Sequence, residues 1–211
     1  MTWKRISDAV IRRLPLYLRV LDDVKEKQTS ISSQELGDLA GVRPALVRKD
    51  LAWFGEFGKQ GVGYDVAFLQ NELRKILHLN EPIHMALVGV GSLGRALARY
   101  HHRRFQEDSL YTIKLVALFD VDPNLVGTTL DGLPIFHTDE MAERVEEMKI
   151  QIAMLTVPAD NAQETAGALN DAGVQAILNF APATLELPEN VHVASADVTL
   201  ELQRLAYYIE K

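Results

Sequence analysis

The stretch LVGVGSLGRALARY places Gly89, Gly91 and Gly94 in GxGxxG spacing, after an apolar run and before a helix-forming one. That pattern serves pyrophosphate binding: Gly89 makes the turn, Gly91 lets phosphate approach the backbone, and Gly94 allows close packing of helix on sheet. Val90, Ser92 and Leu93 complete the loop, and the helix N-terminus offers amide donors and a positive dipole to the phosphates. Asp120 ends the next apolar run, where a carboxylate accepts hydrogen bonds from the adenosine ribose. The same charge repels a 2'-phosphate and so favours NAD(H) over NADP(H). A second reading is that Asp120 only caps the turn in DVDP. Asp120 follows Gly94 by 26 residues, more than the usual interval of about 20, which fits a long first helix and the loop RRFQEDSLYT.

A different chemistry is written in VRKDLAWFGEFGKQGVGY, residues 47–64, where Arg48, Lys49 and Lys59 sit among aromatics and glycines. The chain carries a formal net charge of -7, yet residues 1–78 hold 13 Lys/Arg against 10 Asp/Glu and the remainder is strongly acidic. A basic segment on an acidic body points to one part that meets an anionic partner. A merely solvated basic surface is the alternative that charge leaves open.

The elements that must position these groups follow from pattern. Residues 7–27 have helical apolar spacing, with Pro15 marking a kink or a fresh helix start. Ser32 and Glu35 form a capping-box pattern for a short helix ending at Gly41. A third helix starts at Pro44, a favoured first position, and runs to about Phe54. Its Val47, Leu51 and Phe54 fall on one face, and Ala45, Arg48, Lys49 and Ala52 on the opposite one. GKQGVGYDV then reads as a hairpin with Lys59 at its tip, and Gly61 shapes it. Two short helices, a turn and a hairpin make a winged helix-turn-helix, whose helix from Pro44 would enter a major groove. A small helical packing unit with a basic face is the bland counterpart.

After an amphipathic helix over 66–80 and the linker NEP, strand and helix patterns alternate. Strands are expected in IHMALVGVG, IKLVALFD, IQIAMLTVP, VQAILNF and NVHVAS, with helices over 92–104, 139–149 and 159–172 between them. This predicts an α/β architecture: an N-terminal winged helix-turn-helix, then a Rossmann doubly wound parallel sheet. The expected boundaries are 1–80, 81–195 and, for a C-terminal helix, 196–211. LTVP and NFAP stand at strand carboxyl ends, where ligands of such sheets lie. The last helix shows Val198, Leu202, Leu205 and Ile209 on one face and Leu200 with Tyr207 nearly opposite, which implies burial between two surfaces, a homodimer interface.

Other chemistry is excluded or unsupported. Without cysteine there are no disulfides or thiolate ligands, in keeping with a reducing cytoplasm. The six histidines show no metal-binding spacing, so no metal site is expected. No apolar run is long enough to span a membrane. No His/Asp relay, Tyr/Lys pair or nucleophile is evident, so no catalytic residue is expected.

VRKDLAWFGEFGKQGVGYDV, GVGSLGRALA, FDVDP, LTVP, AGVQAILNFAP and SADVTLELQRLAYYI, in this order across nearly the whole chain, resemble the Rex family of bacterial redox-sensing repressors. The resemblance implies a homodimer that binds NADH and NAD+, with the C-terminal helix swapped between subunits. NADH would release double-stranded palindromic operator DNA, and NAD+ would permit repression. It implies DNA contacts by Arg48, Lys49 and Lys59, with Pro44 and Gly61 shaping helix and wing. It assigns Gly89, Gly91, Gly94 and Asp120 to the adenosine half of the cofactor and Thr156, Pro158, Phe180 and Pro182 to the nicotinamide side. It also implies a relay in which Asp197 pairs alternately with Tyr100 or with the partner's counterpart of Arg19. Val198 departs from relatives that carry Phe there. Two other classes stay open at this point: a small NAD-dependent oxidoreductase with a helical appendage, and a coenzyme A sensor.

Overall fold

The computed structural model describes residues 6–59 and 61–209. They form two compact units that divide between Glu81 and Pro82.

In the first unit the apolar run over 7–27 is broken rather than kinked. A short helix α1 (Asp8–Ile11) precedes α2 (Leu14–Val24), which takes Pro15 in its first turn, where the missing N–H costs nothing. The next helix, α3 (Ser33–Ala40), is capped by Ser32, whose Oγ accepts the Glu35 amide at 3.0 Å. Only this half of the capping box forms, because the Glu35 carboxylate instead accepts the Gln28 side-chain amide at 3.0 Å. Gly41 ends the helix in the left-handed region, φ 68°.

Helix α4 (Pro44–Ala52) follows a brief turn. Gly37 on α3 lets the two helices meet, since a Cβ there would lie 2.5 Å from the Val42 carbonyl oxygen. Three short strands then pair antiparallel in the order β1, β3, β2: β1 (Ser30–Ile31), β2 (Gly58–Lys59) and β3 (Gly63–Asp65). The β2–β3 hairpin was legible, whereas β1 has two residues and no periodicity. Helix α5 (Val66–Ile76) is capped by Asp65, which accepts the Phe68 amide at 2.8 Å. Leu14, Leu21, Leu36, Val47, Leu51 and Leu69 are buried together in this unit's core.

The second unit is a seven-stranded sheet in the order β10, β9, β8, β4, β5, β7, β6. Its strands are β4 (Ile83–Val88), β5 (Ile113–Asp120), β6 (Thr129–Leu130), β7 (Leu133–His137), β8 (Ile152–Leu155), β9 (Ala176–Asn179) and β10 (His192–Ser195). All neighbours are parallel except the β6–β7 hairpin. Helices α6 (Ser92–Glu107), α7 (Met141–Glu147) and α8 (Ala159–Asp171) connect them. One buried cluster with Val88, Phe119 and Leu155 and another with Leu87, Leu118 and Met154 cover opposite faces, as the period of two requires.

Strands β6 and β7 are additions to the sequence-based expectation, and Pro134 explains why. A proline demotes a run to edge or non-strand, yet Pro134 pairs with Thr129 of the short edge hairpin. The terminal helix α9 (Val198–Ala206) stops short of the expected Ile209. Within this chain its apolar side chains are uncovered: Val198, Leu200, Leu202 and Leu205 are all more than half exposed.

Candidate functional site

The sheet reverses its winding between β4 and β8, and in such sheets the crevice at the carboxyl ends beside that reversal is where ligands lie. A cleft of about 900 Å3 opens there, lined by Gly89, Gly91, Leu93, Asp120, Thr156, Pro158, Phe180 and Pro182 among others. Eight sequence-assigned residues therefore share one cavity.

Each glycine has a separate reason. Gly89 leaves β4 with φ 97°, and a Cβ would lie 2.8 Å from the Thr156 carbonyl oxygen. Gly94 sits where a Cβ would fall 2.0 Å from the Gly89 carbonyl oxygen, so α6 meets the strand end only because no side chain intervenes. Gly91 has nothing within 4 Å of a built Cβ; its bareness keeps space clear in front of α6. The first-turn amides from Ser92 onward have no intrahelical acceptor and point along the helix axis. Leu93 is half exposed at the cleft, whereas Val90 is buried, and its carbonyl accepts Arg95 Nε at 2.9 Å.

Asp120 does more than stand at a strand end. One oxygen accepts the Val90 amide at 2.6 Å; the other accepts the amides of Val121 and Asp122 at 2.8 and 2.9 Å. Three of a carboxylate's about four acceptor positions are thus used, so Asp120 caps the turn in DVDP, as its second reading has it, and also holds the glycine loop.

Across the cleft, the Thr156 hydroxyl lies 2.9 Å from the Val88 carbonyl and 2.8 Å from that of Gly89, and donates between them. Buried Asn179 donates to Ala183 at 2.8 Å and accepts the Ala181 amide at 2.9 Å, which folds the loop that carries Phe180 and Pro182. Sequence reasoning passed over Asn179, and also Thr138, Asp139, Asn161 and Glu164 of the lining. Thr138 and Asp139 follow β7, the strand that Pro134 concealed. The described lining carries three carboxylates and no lysine or arginine.

The second group of residues lies on α4 and the hairpin. Arg48 and Lys49 are exposed, and Pro44 is half-buried at the helix start. Arg48 donates to Ser33 Oγ at 2.8 Å, which holds its guanidinium over the start of α3. Arg48, Ala52, Gly58, Gly61 and Tyr64 line an open groove of about 650 Å3 between helix and wing. Burial pushes the Tyr64 phenol above its ordinary pKa, and the charge of Arg48 opposes this. Lys59 pairs with Gly63 through its backbone; its side chain lies outside the described residues. Gly61 has φ 77° and open space around it.

Of the relay residues, Arg19 is exposed on α2. Tyr100 is half exposed on α6, and its hydroxyl accepts Arg104 Nη1 at 2.9 Å. Asp197 caps α9 by accepting the amides of Thr199 and Leu200 at 2.8 and 3.2 Å. Among the described residues no group of three or more His, Asp or Glu is placed to hold a metal ion, and no helix is long and apolar enough to cross a membrane.

Comparison with known proteins finds relatives of both units. Residues 5–52 match a family model described as a putative DNA-binding protein N-terminus, and residues 80–183 one described as a CoA binding domain. The redox-sensing transcriptional repressor Rex of Brevibacillus brevis is 44% identical over 207 residues, 98% of each chain. The crystal structure of RSP in complex with β-NAD+ and operator DNA superposes with a TM-score of 0.88 at 36% identity, covering 97% of this chain and 93% of that one. RSP in complex with β-NADH gives 0.83 at 35% identity, covering 97% and 94%. Similarity of this extent, over nearly the whole of both chains, places the chain in the Rex family of redox-sensing transcriptional repressors.

Proposed function

We propose that this protein represses transcription by binding palindromic operator DNA as a homodimer and leaves the operator when NADH fills its cleft. The observation that carries the reading is the union, in one chain, of an exposed Arg48 and Lys49 on α4 with a glycine loop and Asp120 around a cleft at the sheet's reversal. Full-length relatives named as repressors support it, as do solved relatives that hold β-NAD+ with operator DNA and β-NADH.

In this reading Arg48, Lys49 and Lys59 contact DNA, and Pro44 and Gly61 shape the elements that present them. Gly89, Val90, Gly91, Ser92, Leu93, Gly94 and Asp120 hold the adenosine and phosphates; Thr156, Pro158, Phe180 and Pro182 flank the nicotinamide. The bare space at Gly91 and the unpartnered amides behind it suit a pyrophosphate. Asp120 suits an unphosphorylated ribose and opposes the phosphorylated ribose of coenzyme A.

The units act as a DNA-binding part over 1–80, a nucleotide-binding part over 81–195 and a swapped helix over 196–211. The uncovered apolar side chains of α9 support a helix that packs on a second copy, with Asp197 switching between Tyr100 and the partner's counterpart of Arg19. In a dimer the two α4 helices must meet successive major grooves about 34 Å apart, and a change in that spacing releases DNA. Turning the switch from 1:99 to 99:1 requires about 5.5 kcal/mol of differential binding. The protein acts in the cytoplasm, where the NADH/NAD+ ratio it reads is set.

The test is fluorescence anisotropy of a labelled palindromic operator duplex at fixed salt, titrated with protein and then with either nucleotide. Binding abolished by NADH and spared by NAD+ is expected. Binding indifferent to both removes the sensor, and no binding moves the assignment to a small oxidoreductase.

A further inference from the structure

The least expected residue of the first unit is Asp50. It lies on α4 directly after Arg48 and Lys49, yet it is 1% exposed, one of two polar side chains buried in the core of the described residues. Its carboxylate accepts Arg13 Nε at 2.6 Å and Arg13 Nη2 at 2.8 Å, a two-pronged fork, and the Tyr17 hydroxyl at 2.7 Å. Arg13 and Tyr17 stand one turn apart at the start of α2, so three bonds reach Asp50 from a single neighbouring helix. Both donors carry the mark of the pairing: the Asp50 carboxylate raises the pKa of the Arg13 guanidinium, and burial, then Asp50, raise that of the Tyr17 phenol.

Apolar residues of similar volume often replace a buried ion pair without loss, because taking two charges from water offsets their attraction. What an ion pair adds is direction. Helix α4 has nine residues and buries only Val47 and Leu51 besides Asp50. Apolar contact is non-directional and leaves such a short helix free to rotate or slide, whereas a forked guanidinium–carboxylate pair fixes both motions.

We propose that Asp50, gripped by Arg13 and Tyr17, is a positioning residue that sets the rotation and axial register of α4, so that operator recognition depends on a side chain that never reaches DNA. The inference rests on the repressor reading, and a misplacement of about 1 Å is enough to spoil base contacts that depend on paired hydrogen bonds.

Two variants test it against the operator duplex carried by the solved relative and against a random duplex of equal length. Asp50→Leu combined with Arg13→Met and Tyr17→Phe replaces all three polar groups by apolar ones, so that no buried hydroxyl is left without an acceptor. We expect native circular dichroism, a thermal midpoint no lower than the parent's, NADH affinity within twofold, and operator affinity reduced at least tenfold, with the preference for operator over random DNA reduced alongside. Arg13→Lys keeps the charge and the fold but loses the fork, and is expected to lower that preference at least threefold. The preference ratio is the deciding readout, because a purely structural role would leave it unmoved. A folded triple variant, or Arg13→Lys alone should the triple variant not fold, that keeps the parental ratio overturns the inference. Failure of the unaltered protein to bind operator instead overturns the repressor reading and this inference with it.

Discussion

Asp120 and Val90 meet through a 2.6 Å hydrogen bond from the Val90 amide to the Asp120 carboxylate, which ties the end of β5 to the middle of the glycine loop leaving β4. The carboxylate thus shapes the loop before it meets a nucleotide. Asp120→Ala removes a charged acceptor from three amides, an effect of about 1.5–3 kcal/mol per charged hydrogen bond. NADH affinity is expected to fall at least tenfold, while operator binding persists and no longer responds to NADH. Titration calorimetry with NADH and operator anisotropy on the same variant check both halves.

Arg48→Ala should do the reverse. It removes an exposed cation that donates to Ser33 Oγ at the surface, so stability changes by no more than about 0.5 kcal/mol. Operator affinity is expected to fall at least tenfold, and the slope of log affinity against log salt to drop by about 1 if the contact is to phosphate. NADH affinity stays at the parental value.

Gly91 and Gly94 separate folding from binding. With φ -74° and open space around it, Gly91 accepts a methyl group without strain, so Gly91→Ala should fold normally yet lose NADH affinity at least tenfold. Gly94→Ala drives a methyl into the Gly89 carbonyl, an overpacking worth about 1–3 kcal/mol or more. A thermal midpoint lowered in Gly94→Ala and unchanged in Gly91→Ala is the expected pair of results.

His101 gives the nucleotide unit a dependence on acid. Its Nδ1 is 2.5 Å from the Tyr111 hydroxyl, its ring stands edge-on to Tyr100 at 5.1 Å, and burial, then the charge of Arg104, hold its pKa below the ordinary 6.5. Between the depressed value and 6.5 the unfolded chain binds the extra proton and the folded one does not. The resulting stability is full above pH 6.5 and is lost as pH falls through the folded value. Thermal midpoints should drop between pH 7 and 5.5 more steeply in the parent than in His101→Gln.

The exposed apolar face of α9 makes a prediction about mass. Leu202→Asp with Leu205→Asp places two charges on that face, where both leucines are more than half exposed in the single chain. Light scattering should show twice 23.6 kDa for the parent and a single copy for the variant, with operator affinity lost in parallel. A parent that stays single at micromolar concentration sinks the swapped-helix reading.

Much of this was legible because its signals are local. Gly89, Gly91 and Gly94 announce a loop by spacing, Ser32 and Gly41 announce the ends of α3, and alternating apolar runs announce β4 and β5. The unread parts depend on partners far along the chain. Asp50 looks like one more charge on a charged helix until Arg13 and Tyr17, more than thirty residues earlier, are brought against it. Strand β7 was hidden by Pro134, whose position at an edge hairpin only the sheet reveals. Thr138 and Asp139 of the cleft were lost with it. Asn179 gave no signal, since its bonds to Ala181 and Ala183 are those of an ordinary turn until its burial is known.

The nucleotide cleft holds Asp120, Asp139 and Glu164 and, among the described residues of its lining, no basic side chain. Phosphates bound there, as proposed, would be met by oriented amides rather than by mobile cations, so few ions would be exchanged on binding. DNA contacts through arginine and lysine exchange several, and weaken steeply as salt rises. The two ligands therefore answer to ionic strength differently. On the proposed contacts a rise in salt would weaken the hold on DNA and leave nucleotide affinity nearly fixed, so ionic strength and the redox ratio would act on the switch separately.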